Sequence, residues 1–179
     1  SLKSDFDAAV QEAYNPVMTD SPQEALQLLW NAYSVRMLSG QIDPSTGLET
    51  DASVARREQL DKVLFTDGVH PGTAAEVENE NTLRELIALD TYFLYVNGQV
   101  KNDAPTYRED LERNGEPTKD RNSFKFNVTV HIATSLGNEG LSSDLRDNFI
   151  DLGVTEKPGT VTITRAKDGS WGVSDLNIG

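Results

Sequence analysis

Between Ser123 and Thr134 the chain reads SFKFNVTVHIAT, in which Phe124, Phe126, Val128, Val130 and Ile132 alternate with Lys125, Asn127, Thr129 and His131. Successive side chains of a strand point to opposite faces, so this segment must bury one face and leave the other wet or lining something polar. A strand with one apolar face needs a cover. The stretch DSPQEALQLLWNAYSVRMLSG offers one, with Ser21 as N-cap, Pro22 at the first helical position and Glu24 three residues after the cap. Leu26, Leu29, Tyr33 and Met37 recur at helical spacing, Leu28, Trp30 and Ala32 widen the apolar side, and Gly40 ends the run.

Three more helices are expected before the strand. Phe6, Val10 and Ala13 mark a short lead-in helix over residues 4–14, stopped by Pro16. Val54, Leu60, Val63 and Leu64 mark one from Asp51 to about Phe65, closed by Gly68. Thr73 and Glu76 form a capping box for a helix reaching about Leu89, which ENENT can break in two. Beyond Asp90, TYFLYVNGQV is aromatic and β-branched with an Asn-Gly turn signal, and predicts a strand. The polar segment that follows predicts a loop with one helical turn at residues 107–113, and Leu145, Phe149 and Leu152 predict a short helix over residues 141–152. Helices come first and strands afterwards, which makes the fold class α+β with N-terminal helices packed on an antiparallel sheet. Residues 1–20 form a lead-in helix and linker, and residues 21–179 a single domain.

The chain ends on VTITRAKDGSWGVSDLNIG. Val161 and Ile163 alternate with Thr162 and Thr164, Lys167 to Gly169 turn, and Trp171 with Val173 continues the inward face. Leu176 and Ile178 then change phase, so a bulge is expected near Ser174 or Asp175. Helices followed by a long antiparallel sheet that closes on this strand-turn-Trp-strand unit resemble the cone-shaped fold of the nuclear transport factor 2-like and ketosteroid isomerase-like, or cystatin-like, superfamily. The resemblance implies a curved sheet with the last strands in its middle and the terminal aromatic packed under the helices. It also implies a cone that holds a small molecule in some members, and in others an extracytoplasmic module such as the bacterial secretion and conjugation assembly proteins. The superfamily's isomerases use a carboxylic base and an oxyanion hole of a tyrosine with an acid. No such set matches residue by residue here, although Tyr33, Tyr92, Tyr95 and Tyr107 are present.

Charge narrows the partners. Sixteen Lys and Arg against twenty-nine Asp and Glu leave a formal charge of −13, whose field repels phosphate backbones and anionic headgroups, so nucleic acid is not an expected partner. No stretch reaches the roughly 18 apolar residues needed to cross a bilayer, and this segment is not expected to insert. The absence of cysteine removes disulfides, thiolate metal sites and cysteine nucleophiles together. QIDPSTGLETD has the composition of a calcium loop, yet its glycine is fifth counted from Asp43 and no glutamate is twelfth, so no metal or other cofactor is expected.

Neither histidine makes a site by sequence. His70 stands before Pro71 with no ligand at i+2 or i+4 and reads as ordinary surface. His131 shares the polar face of its strand with Asn127 and Thr129: a base or ligand anchor if that face lines a cavity, a solvated side chain if it faces water. Trp30, Tyr33 and Trp171 can wall an apolar pocket or fill it. The pocket candidates are therefore Trp30, Tyr33, His131 and Trp171, with no catalytic set among them. Phosphate-loop, nucleophile-elbow and zinc-protease motifs are all missing. The chain begins at Ser1 without an initiating Met, which predicts release from an exported or anchored bacterial precursor or a cloning remnant. The expected role is a non-enzymatic extracytoplasmic binding or assembly module, working through a protein partner or self-association. The alternative is a carrier or enzyme of the same fold that takes a small apolar ligand in the cone.

Overall fold

The computed structural model describes residues 2–96, 107–134 and 153–179. Among the described residues four helices, α1 (Leu2–Ala13), α2 (Pro22–Leu38), α3 (Asp51–Leu64) and α4 (Ala74–Val96), pack against a strongly curled antiparallel sheet. Its strands are β1 (Val17–Met18), β2 (Tyr107–Arg113), β3 (Thr118–Asp120), β4 (Ser123–Thr134), β5 (Gly153–Arg165) and β6 (Ser170–Ile178). The order across the sheet is β1-β6-β5-β4-β2, and β3 pairs with the start of β4 beside β2. This is the α+β arrangement that the order of helices and strands predicts, with its sheet curled into a cone-like shape as the resemblance implies.

Local chemistry sets the helix starts. The Glu24 amide donates to the Ser21 hydroxyl at 3.2 Å, the Ser53 amide to Thr50 Oγ1 at 3.1 Å, and the Glu76 amide to Thr73 Oγ1 at 3.2 Å. Each satisfies one of the amide groups a helix N-terminus leaves unpaired. The concave face of the sheet and α2 then form one core, with Leu26, Leu29, Trp30, Tyr33 and Met37 against Phe126, Val128, Val130, Val161 and Ile163. The alternation of β4 is seen as read: Phe126, Val128 and Val130 are buried, while Lys125 and Asn127 are exposed.

The closing hairpin lies in that core. Trp171 is buried, pairs with Val17 of β1, donates its indole N–H to the Thr19 carbonyl at 2.8 Å and packs on Phe124 at 5.6 Å. The phase change is a bulge. Thr162 pairs with Asp175 and Ile163 with Val173, so Ser174 is the extra residue that returns Leu176 and Ile178 to the concave side.

Two expectations fail. The segment from Thr91 is not a strand: α4 continues unbroken through ENENT to Val96. Aromatic residues lose only tenths of a kcal/mol in a helix, and neither Gly nor Pro occurs between Ala74 and Gly98 to stop it. Residues 107–113 are not a helical turn but β2, paired along its length with β4 from Tyr107↔Thr134 to Arg113↔Val128. YREDLER carries only Tyr107 and Leu111 as hydrophobic side chains, too few to declare an alternation, so it is β4 that recruits this segment. The Asn97-Gly98 turn and the helix over residues 141–152 lie outside the described residues.

Behind α2 the helices are joined by buried charge. Arg36 donates through Nε to Asp61 Oδ1 at 2.6 Å and through Nη2 to Asn81 at 3.1 Å. Arg84 donates through Nε to the Arg36 carbonyl at 2.7 Å and is paired with Glu49. Glu49 belongs to the loop whose composition resembles a calcium site. In the fold that loop is a small hairpin closed by an Ile42–Glu49 bridge, with Asp43 Oδ1 accepting from the Ser45 amide at 2.9 Å, and it delivers an anion to a buried guanidinium.

His70 belongs to this interior and not to the surface, being 7% exposed between Phe65 and Tyr33, with ring centroids at 4.8 and 6.1 Å. Its Nδ1 is 2.7 Å from the Pro71 carbonyl, an acceptor only, so Nδ1 carries the proton and Nε2 is left a buried acceptor without a partner among the described residues. Burial, with Arg36 adding to it, holds this imidazole below the ordinary 6.5, against the pull of the Pro71 bond, Glu80 and Asp61. A depressed histidine pKa means the unfolded chain binds protons first. The stability His70 provides is therefore complete above about pH 6.5 and is withdrawn as the pH falls below that value. The expected result is that His70→Gln flattens the acid side of a plot of urea midpoint against pH. An unchanged slope would show that His70 does not titrate on unfolding.

Candidate functional site

Trp30 and Tyr33 lie one helical turn apart on α2 and stack, with centroids 5.0 Å apart and planes at 27°. The Tyr33 hydroxyl donates to Glu80 Oε2 of α4 at 2.6 Å, a short charge-assisted bond. Across from them, Glu109 of β2 is in register with Ile132, and Lys157 of β5 with Val130. Directly opposed residues of an antiparallel pair share a face, so both charged side chains stand on the concave side of the sheet. With Leu83, Leu176 and Ile178 these groups enclose a cleft of about 70 Å³.

Burial raises the Tyr33 pKa well above its ordinary value, and the Glu80 and Glu109 carboxylates push it further. Tyr33 is therefore a neutral donor committed to Glu80, and not a base. Trp30 is 3% exposed, and its indole nitrogen finds no hydrogen-bond partner among the described residues. The cleft is lined by an indole, a phenol, two carboxylates and an ammonium. Among the described residues no group of three or more His, Asp or Glu side chains could hold a metal ion.

Of the four pocket candidates, Trp30 and Tyr33 meet in this cleft and two lie elsewhere. His131 is on the outer face of β4, where Nε2 is 2.8 Å from Glu112 Oε2 and Nδ1 3.2 Å from Glu156 Oε1. Its hydrogen bond to Glu112 raises its pKa, and Glu156 adds to this, so any stability it lends is present below about pH 6.5 and lost as the pH rises through the folded value. Trp171 shares the concave side, but its neighbour Phe124 is about 20 Å along β4 from Val130. Glu80, Glu109 and Lys157 were not singled out by sequence. Two stand in segments that read as polar, and only the register of β2 and β5 on β4 turns Glu109 and Lys157 inward.

A second feature lies outside the cone. Residues of α1, β1, α2 and α3, including Ala9, Pro16, Val17, Leu29, Ala32 and Val63, line a mainly apolar surface groove of about 300 Å³. Met18 and Leu28 stand in its lining with 59% and 37% of their surface exposed. Compared as a whole, the chain matches no protein family, no curated protein and no solved structure.

Proposed function

We propose that the chain is a non-enzymatic binding module whose main docking surface is the groove at Met18 and Leu28. The observation that carries this reading is the contrast between the cone and the groove. The cone is filled by Trp30, Tyr33, Met37, Phe65 and Phe126, so that its cleft holds about 70 Å³, whereas pockets for whole small molecules hold roughly 300–1,000 Å³. The groove is apolar, open and edged by two exposed large side chains, the composition of a protein contact surface. At a formal charge of −13 the partner is basic or neutral at its contact face. Freedom from cysteine supports an extracytoplasmic place for the module, and helices followed by a curled sheet support kinship with nuclear transport factor 2-like proteins.

A photoreactive residue at position 28, in the cell that makes the protein, is expected to give a discrete adduct. The same residue at Leu48, which is 67% exposed but away from the groove, is expected to give none. Adducts at both positions alike, or at neither, would end this reading. An adduct at twice the mass of the chain would make the partner a second copy. Fractionation of the same cells tests the location, and a cytoplasmic pool alone would refute it.

A further inference from the structure

We infer that the cleft between Trp30, Tyr33, Glu80, Glu109 and Lys157 binds a small primary amine that also carries an oxygen acceptor, of the amino-alcohol or amino-acid kind. The inference concerns a second site, independent of the groove and of whatever docks there.

The charges come first. Glu80, Glu109 and Lys157 line the cleft together, and Glu80 is the carboxylate whose bonding is seen in full. Glu80 accepts from Tyr33 through Oε2, and its other oxygen takes no hydrogen bond among the described residues. A carboxylate has room for several donors, so an ammonium can join without displacing Tyr33. An anion would meet two carboxylates, and a hydrocarbon would strip water from three charged groups.

The second requirement comes from Trp30. An indole N–H can only donate, and here it is buried in the wall of the cleft with no acceptor among the described residues. Buried polar groups in native proteins are nearly always paired, so an unpaired one points to an acceptor that arrives from outside. The acceptor must be an oxygen on the same ligand or a water that enters with it, and Lys157 can pair with that oxygen if it is charged. Size sets the last limit: about 70 Å³ holds roughly five water-sized spheres, so the ligand has only a few non-hydrogen atoms.

The two tryptophans provide the readout and its control. In a proton–nitrogen correlation spectrum the chain gives two indole signals, assigned with Trp171→Phe. The Trp171 N–H is already bound to the Thr19 carbonyl and should not respond. Titration with ethanolamine or glycine, at fixed pH and ionic strength, is expected to shift the Trp30 signal saturably in the millimolar range, with ethanol and acetate as controls. Saturation by ethanolamine alone identifies a cationic amino alcohol, and saturation by glycine shows that Lys157 receives a carboxylate. Glu80→Gln keeps an acceptor for Tyr33 but removes the charge, and should weaken binding at least about tenfold. Should that variant not fold, Lys157→Met tests the same site, by abolishing glycine binding while sparing ethanolamine. A Trp30 signal that moves with neither amine, or moves as far with ethanol, overturns the inference.

Discussion

Arg84→Ala is expected to remove about 3–5 kcal/mol of folding stability, as the loss of one partner from a buried ion pair generally does. The guanidinium is fully buried. It holds Glu49 as an ion pair, the Arg36 carbonyl at 2.7 Å, and the Ser39 hydroxyl and Ser53 carbonyl at 3.5 Å each. Burial, helped by Arg36, lowers its pKa to about 10 against the pull of Glu85, so it remains a cation at neutral pH. Deleting it strands the Glu49 carboxylate in the interior and leaves the Arg36 carbonyl at the end of α2 without its donor from α4. Since whole domains are stable by only about 5–15 kcal/mol, denaturant unfolding will read the change easily. The combined change Arg84→Met with Glu49→Leu should recover most of the loss, because the cost lies in the orphaned charge. A loss below about 1 kcal/mol for Arg84→Ala would mean that water reaches Glu49 and the pair is not buried in solution.

Gly159→Val is expected to be as severe, for a steric reason. Gly159 of β5 faces Ile178 across the sheet, and a Cβ there would come within 2.5 Å of the Asn177 carbonyl oxygen and 2.9 Å of the Ile178 Cα. Both are backbone atoms, so β6 itself must move. Overpacking commonly costs about 1–3 kcal/mol, and Gly159→Ala should lie at the upper end of that range. The branched side chain should separate the last residues of β6 from β5, seen as loss of amide-exchange protection at Asn177 and Ile178. Gly40→Ala, where the nearest atoms are the Ala88 methyl at 3.2 Å and Arg84 Nη1 at 3.5 Å, should cost clearly less. Equal effects at the two positions would show that the close approach of β6 to Gly159 carries no special steric cost.

The sequence disclosed those parts of the molecule whose physics is local. Ser21 and Thr73 could be read as caps because a cap acts within four residues, and β4 because alternation declares its own faces. The bulge at Ser174 was legible for the same reason, since a phase change within one strand is visible without knowing its partner. What escaped depended on distant residues. β2 is a strand only because β4 pairs with it, and α4 outlasts its expected end because β propensity is too weak to stop a helix. His70 looked superficial because it stands before Pro71 in a connecting segment without periodicity, and only the packing of that segment against Tyr33 and Phe65 buries it. The cleft shows the same division. Trp30 and Tyr33 announce themselves by helical spacing, whereas Glu109 and Lys157 owe their inward aim to strand register alone.

The bond between the Trp171 indole and the Thr19 carbonyl joins residues 152 positions apart. Closing so long a loop comes late in folding, because the entropy it costs is repaid only after the rest of the sheet exists to receive it. Only two residues of β1 pair with β6, so the α1–β1 unit is held to the sheet by little ladder bonding. It should therefore dock last and detach first, exchanging its amides by a partial opening well below the free energy of global unfolding. Since α1 and β1 line the groove at Met18 and Leu28, that groove would be assembled and dismantled as a kinetic unit apart from the cone. A partner seated there would be read as slower exchange in α1, with the sheet unchanged.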